Sequence, residues 1–149
     1  GSKHKAKDYV QGLDMLASMR LCSNVPSQYA IQTALGGYQS IKELTCDGGR
    51  LKRQRDLAWQ MLDALPGVSC HKPEGALYLF PRLDPDIYHI ENDEKFAFDL
   101  LSQQKVLVVQ GSGFNLADSQ HFRIVFLPYE EQLIEAVGRI ATFLGTLRK

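Results

Sequence analysis

The chain has 149 residues and a mass of 16.8 kDa, with 44% hydrophobic and 23% charged side chains, which is the composition of one globular domain and excludes a disordered segment. Seventeen basic and seventeen acidic residues leave a formal net charge of +0, so the basic footprint of a nucleic-acid or anionic-membrane binder is missing. Cys22, Cys46 and Cys70 are odd in number and form no C-x-x-C pair, and no stretch approaches the roughly 18 apolar residues of a membrane span; the expected setting is reducing and cytoplasmic.

In chain order, Gly1-Ser2 has the look of a cloning remnant and carries no structural inference. Tyr9, Val10, Leu13, Leu16 and Ala17 recur at helical spacing and predict a first helix over residues 5–19. It stops before Ser23-Asn24-Val25-Pro26, because a residue preceding proline is pushed out of the α region, and Ser27 is placed to cap a second helix with Ala30, Ile31, Ala34, Leu35, Tyr38 and Ile41 as its stripe. Asp47-Gly48-Gly49 breaks that helix. A third is predicted from Arg50 to Leu65, with Leu51, Ala58, Met61, Leu62 and Leu65 on one side and Pro66-Gly67 at its end.

The period then changes. Val68 to His71 and Ala76 to Phe80 read as two strands joined by Lys72-Pro73-Glu74-Gly75, a hairpin pattern closed by Pro81. Residues 85–92 are an irregular loop, and residues 93–103 a helix with Phe96, Leu100 and Leu101 inward. Val106 to Val109 is apolar enough for a buried strand, turned by Gly111-Ser112-Gly113. Phe122 to Leu127 is another strand, stopped by Pro128. The last helix, Glu130 to Leu147, has Leu133, Ile134, Val137, Ile140, Ala141, Leu144 and Leu147 on its stripe. The expected fold is α/β in the broad sense: helices first, then a small sheet of three to four strands covered by helices, an α+β sandwich.

Most chemical motifs are missing. The run from Val106 to Gly113 begins like a dinucleotide-binding βα unit, but the third glycine and the immediate helix are absent, so a plain tight turn is expected. His4, His71, His89 and His121 lack metal-ligand spacing, no serine lies in a G-x-S-x-G elbow, and Trp59 reads as core. Arg123 stands out. It sits in Phe122-Arg123-Ile124-Val125-Phe126, where a guanidinium must meet an anion: either an acidic neighbour in a structural ion pair or the carboxylate of a ligand, gripped by two bonds. Arg20 ends the first helix beside Ser23-Asn24, where satisfying the helix dipole competes with a binding role.

Three ordered segments resemble one family. Pro73-Glu74-Gly75-Ala76-Leu77-Tyr78-Leu79-Phe80, then Val106 to Val109 with Gly111-Ser112-Gly113-Phe114, then His121 to Leu127, are similar to the small C-terminal domain of class I/II, fold type I, pyridoxal-phosphate aminotransferases. Met15 to Pro26 and Ile31 to Ser40 look close to its bacterial alanine-forming, glutamate–pyruvate subgroup. The resemblance implies a division into a linking helix and interface loop over residues 1–26 and the small domain over residues 27–149. It implies a parent that exchanges an amino group between an amino acid (alanine or glutamate) and a 2-oxo acid (pyruvate or 2-oxoglutarate), as a homodimer with pyridoxal 5'-phosphate. The Schiff-base lysine and phosphate cradle belong to the large domain, N-terminal to this chain, so this piece is expected to be inactive and without cofactor alone. Ser2-Lys3 imitates the family's Ser-Lys motif but lacks the glycine and arginine that follow it, which rejects Lys3 as the catalytic lysine.

The resemblance assigns Arg123 to the substrate α-carboxylate, and Arg20 with Asn24 to an interface loop that reads a distal carboxylate, although the spacing there is one residue shorter. Gln110 and Asn115 stand where the common family pattern has proline and glycine, so a different loop near the substrate is expected, in a manner the alanine-forming subgroup shares. A function of another class is a stand-alone carboxylate-binding or regulatory module in which Arg123 works without cofactor.

Overall fold

The computed structural model describes residues 6–116 and 120–148; Lys3 lies outside them. Packing divides the chain into two units, residues 1–40 and residues 41–149, so the boundary falls after the second helix, where the sequence had placed it at 26/27.

In the first unit α1 is Lys7–Ser18 and α2 is Val25–Gly36. Asn24, not Ser27, caps α2: its side-chain oxygen accepts from the Ser27 N–H at 3.2 Å. Pro26 therefore lies inside the first turn, where a missing N–H costs nothing. The stripe assigned to one long second helix is divided. Gly37 is extended, and α3, Ser40–Thr45, begins afresh at the last residue of the first unit.

The second unit holds the core. Its elements are α4 (Arg50–Asp63), β1 (Val68–Ser69), β2 (Tyr78–Leu79), β3 (Arg82–Leu83), α5 (Asp93–Gln104), β4 (Val109–Gln110), β5 (Phe122–Val125) and α6 (Glu130–Thr146). Strand pairing corrects the hairpin. β1 pairs with β3, a strand not anticipated after Pro81, while β2 joins an antiparallel three-stranded sheet of order β2-β5-β4. Gly67 forces the turn out of α4: its φ is +74°, and a Cβ there would sit 2.8 Å from the Ile87 and Tyr88 side chains.

α6 packs on α4 and α5, and burial of Leu62, Leu79, Leu100, Phe122, Ile140 and Phe143 joins these helices to the sheet. One residue expected inward on α5 differs. Leu101 is largely exposed, and Ala97 takes its place on the buried face of α5. The buried strand expected from Val106 to Val109 is reduced to β4, with Val108 buried and Leu107 76% exposed. Among the described residues no helix is long and apolar enough to cross a membrane.

Candidate functional site

Alternation along β5 sends Phe122 and Ile124 into the core and Arg123 and Val125 to the other face. The apolar neighbours that singled out Arg123 in the sequence thus point away from it. On its own face it meets rings instead. Its Cζ lies 4.5 Å from the ring centroid of Tyr78, on the adjacent strand β2, and 4.7 Å from that of Phe114. Both contacts are with ring faces, which take up no N–H donor. The Arg123 Nε is buried and has no hydrogen-bond partner, and among the described residues no carboxylate pairs with the guanidinium. Tyr78 and Phe114 were not singled out in the sequence; the signal available was the period-2 pairing of Tyr78 with Phe80 and the position of Phe114 directly after the glycine turn.

That turn is firmly built. Gly111–Phe114 forms one 3-10 turn between β4 and β5. Gly111 donates its N–H to the His121 carbonyl at 2.9 Å, an approach so close that a Cβ would come 2.9 Å from that oxygen. The buried Asp93, first residue of α5, accepts from both the backbone N–H and the hydroxyl of Ser112 at 2.8 Å. A carboxylate at a helix N-terminus is favoured by the dipole, so one acid stabilises α5 and pins the turn. Phe80 meets Phe114 edge to face, with centroids 5.8 Å apart. At the two departures from the family pattern, Gln110 has φ −65°, a value proline favours, and Asn115 has φ 57°, which asparagine tolerates best after glycine.

A hollow of about 320 Å³ between α6 and the β4–β5 strands has Arg123 as the one charged residue among the described residues on its lining. A larger groove of about 500 Å³, bordered by Leu51, Lys52, Arg55, Glu74 and Leu77, does not include it. Lys52 there is paired with Asp47; Lys72 and Lys95 pair with Asp56 and Asp99, and Lys105 donates to the Ser102 carbonyl. These four lysines are engaged by neighbouring acceptors, and none of the four is offered as a carbonyl-binding nucleophile. Cys70 is no nucleophile either, since burial raises its thiol pKa. Among the described residues no group of three or more acidic, histidine or cysteine side chains is placed to hold a metal.

The other two predicted site residues belong to the first unit. Arg20 follows the end of α1, is exposed, and donates its backbone N–H to the Ala17 carbonyl at 3.2 Å. Asn24 spends its side-chain oxygen on capping α2.

Known proteins resemble this chain in sequence and fold. The chain matches the family model for aminotransferases of class I and II over residues 7–140. It is 56% identical, along its whole length, to glutamate-pyruvate aminotransferase AlaA of Haemophilus influenzae, covering 37% of that protein, and 52% identical to alanine aminotransferase of Mycobacterium tuberculosis, covering 35%. The crystal structure of an aminotransferase from Escherichia coli superposes with a TM-score of 0.81 at 52% identity, over all of this chain and 37% of that one. Alanine aminotransferase from Pyrococcus furiosus gives 0.72 at 37% identity, over 95% and 35%. The chain spans a little over one third of the length of these relatives, and corresponds to their C-terminal part. It belongs to the class I and II aminotransferase family, as its small C-terminal domain.

Proposed function

We propose that the protein carrying this chain transfers an amino group between alanine or glutamate and pyruvate or 2-oxoglutarate, and that Arg123 binds the α-carboxylate of each substrate. The observation that carries this reading is a guanidinium with a buried, unpartnered Nε, held by rings that consume none of its donors. A carboxylate is the planar, bidentate anion that such a fork accepts. The names of the relatives supply the amino-acid class.

Pyridoxal phosphate, held by the part of the protein outside this chain, supplies the electron sink for that exchange when bound. The contribution of Arg123 is orientation: two bonds to one end of the substrate fix the angle at which the other end reaches the reacting centre. A cytoplasmic homodimer is part of the same proposal.

Alanine–2-oxoglutarate turnover tests it. The full-length protein should catalyse the exchange, whereas this chain alone, mixed with pyridoxal phosphate and dialysed, should show neither turnover nor a stoichiometric, borohydride-fixed adduct at one lysine. Turnover by the isolated chain would overturn the division of labour. Ligand binding by the isolated chain without turnover, together with a full-length protein that does not transaminate, would favour the stand-alone carboxylate module.

Arg20 is proposed to read the distal carboxylate of dicarboxylic substrates. In the full-length protein Arg20→Ala should raise the apparent KM for glutamate several times more than that for alanine, by roughly the tenfold that one lost charge-assisted bond represents. Equal effects on both substrates would reduce Arg20 to its position at the end of α1.

A further inference from the structure

We infer that Tyr78 and Phe114 are positioning residues for the carboxylate-binding arginine: their rings hold the Arg123 guanidinium desolvated and correctly aimed while leaving its hydrogen-bond donors free for the ligand. The inference rests on the assignment of Arg123 to the substrate carboxylate.

A free arginine side chain carries many rotamers and a hydration shell, and both are lost when it binds. A carboxylate neighbour would fix it but would also use the donors the ligand needs. An aromatic ring fixes it through its quadrupole and asks for no N–H in return. Both rings lie within the range where that attraction acts, at 4.5 and 4.7 Å. They come from different elements, Tyr78 from β2 and Phe114 from the turn between β4 and β5, so the cation is held by two independently anchored walls. The Phe114 wall is secured by the double Asp93–Ser112 bond and by the edge-to-face contact with Phe80. These features account for a buried aspartate and a tightly built turn that the carboxylate contact alone leaves without a purpose.

Tyr78 and Phe114 are 43% and 44% exposed, so truncating either leaves the core closed. The probe is propionate, which carries the shared carboxylate but no amino or oxo group, titrated calorimetrically into the full-length protein. Tyr78→Leu and Phe114→Leu, which keep apolar bulk but remove the ring face, should each weaken propionate binding by about five- to thirtyfold. Tyr78→Phe and Phe114→Tyr, which restore the face, should bind within about twofold of the parent on the same grounds. Should a leucine variant fail to fold, Ser112→Ala carries the test: it removes the hydroxyl bond to Asp93, keeps the backbone N–H bond and both rings, and should weaken binding in the same direction by a smaller factor. Leucine variants that bind like the parent, beside an Arg123→Lys variant that binds weakly, would overturn the positioning role and leave the carboxylate assignment standing. An Arg123→Lys variant that binds like the parent would remove the assignment itself, and the inference with it.

Discussion

Ile140→Asp should unfold the second unit. Ile140 is 1% exposed, in the middle of the face of α6 that also buries Leu133, Val137, Phe143 and Leu144. The substitution removes about 1.5–3 kcal/mol of apolar burial and places a carboxyl group where no donor awaits it, at a further cost of several kcal/mol. A typical domain has about 5–15 kcal/mol in total. Thermal melting followed by circular dichroism checks this, with Ile134→Asp as the control: Ile134 lies on the same helix but is 50% exposed, and should melt close to the parent. Burial raises the pKa of the new aspartate in the folded state, so the destabilisation is complete above that raised value and is relieved as pH falls through it toward the unfolded value. Partial recovery on acidification would separate charge burial from lost packing; an Ile140→Asp variant melting within a degree or two of the parent would sink this placement of the core.

The contrast between Ile140 and Ile134 shows what kind of information the sequence carries. The period of α6 identified the helix and most of its buried face, because seventeen residues of one element repeat the same geometry. It did not find the edges of that face: Ile134 is half exposed, and Phe143, which sits on the buried side, was outside the predicted stripe. Strand partners were less legible. Val68–Ser69 and Tyr78–Leu79 lie near each other in sequence and suggest a hairpin, yet Leu79 pairs with Ile124 and Val68 with Leu83. Such pairings depend on which apolar face each strand must bury, and two-residue strands contain too little pattern to specify it. Leu107 illustrates the same limit from the other side. An apolar run suggests burial on both faces, but among the described residues nothing covers Leu107, whose exposure is 76%.

The candidate site was legible only in its charge. A lone arginine inside Phe122-Arg123-Ile124-Val125-Phe126 asks for a counter-ion, and that question is visible without coordinates. What surrounds the guanidinium depended on three-dimensional facts: alternation turns Phe122 and Ile124 away, the register of β2 brings Tyr78 alongside, and the Asp93–Ser112 bond settles the turn that carries Phe114. Asn24 shows the converse. The family resemblance placed it in a ligand-reading loop, and in the structure its oxygen caps α2, a role that an asparagine just before a helix also encodes.

Arg123→Lys in the full-length protein is the substitution from which the largest loss of substrate binding is expected. Lysine keeps the positive charge and most of the length, so a site that needed only charge would tolerate it. A bidentate site does not, because one ammonium cannot meet both carboxylate oxygens at the fixed separation of a guanidinium fork. The stack is lost too: an ammonium is a compact, strongly hydrated charge, and the rings of Tyr78 and Phe114 are spaced around a flat, weakly hydrated one. The expected cost is about 2–5 kcal/mol in substrate binding, seen as a fall in kcat/KM of at least about thirtyfold. Its distribution across substrates is diagnostic. Alanine, glutamate, pyruvate and 2-oxoglutarate all carry the α-carboxylate, so all four should suffer alike, whereas loss of a distal contact would penalise the dicarboxylates alone. Cofactor absorbance should persist, since the proposal places the cofactor's cradle in the part of the protein outside this chain. Measuring both half-reactions beside that absorbance checks each point: near-normal turnover would leave Arg123 a structural cation held by two rings, and loss of the cofactor band would move its partner from the substrate carboxylate to the cofactor phosphate.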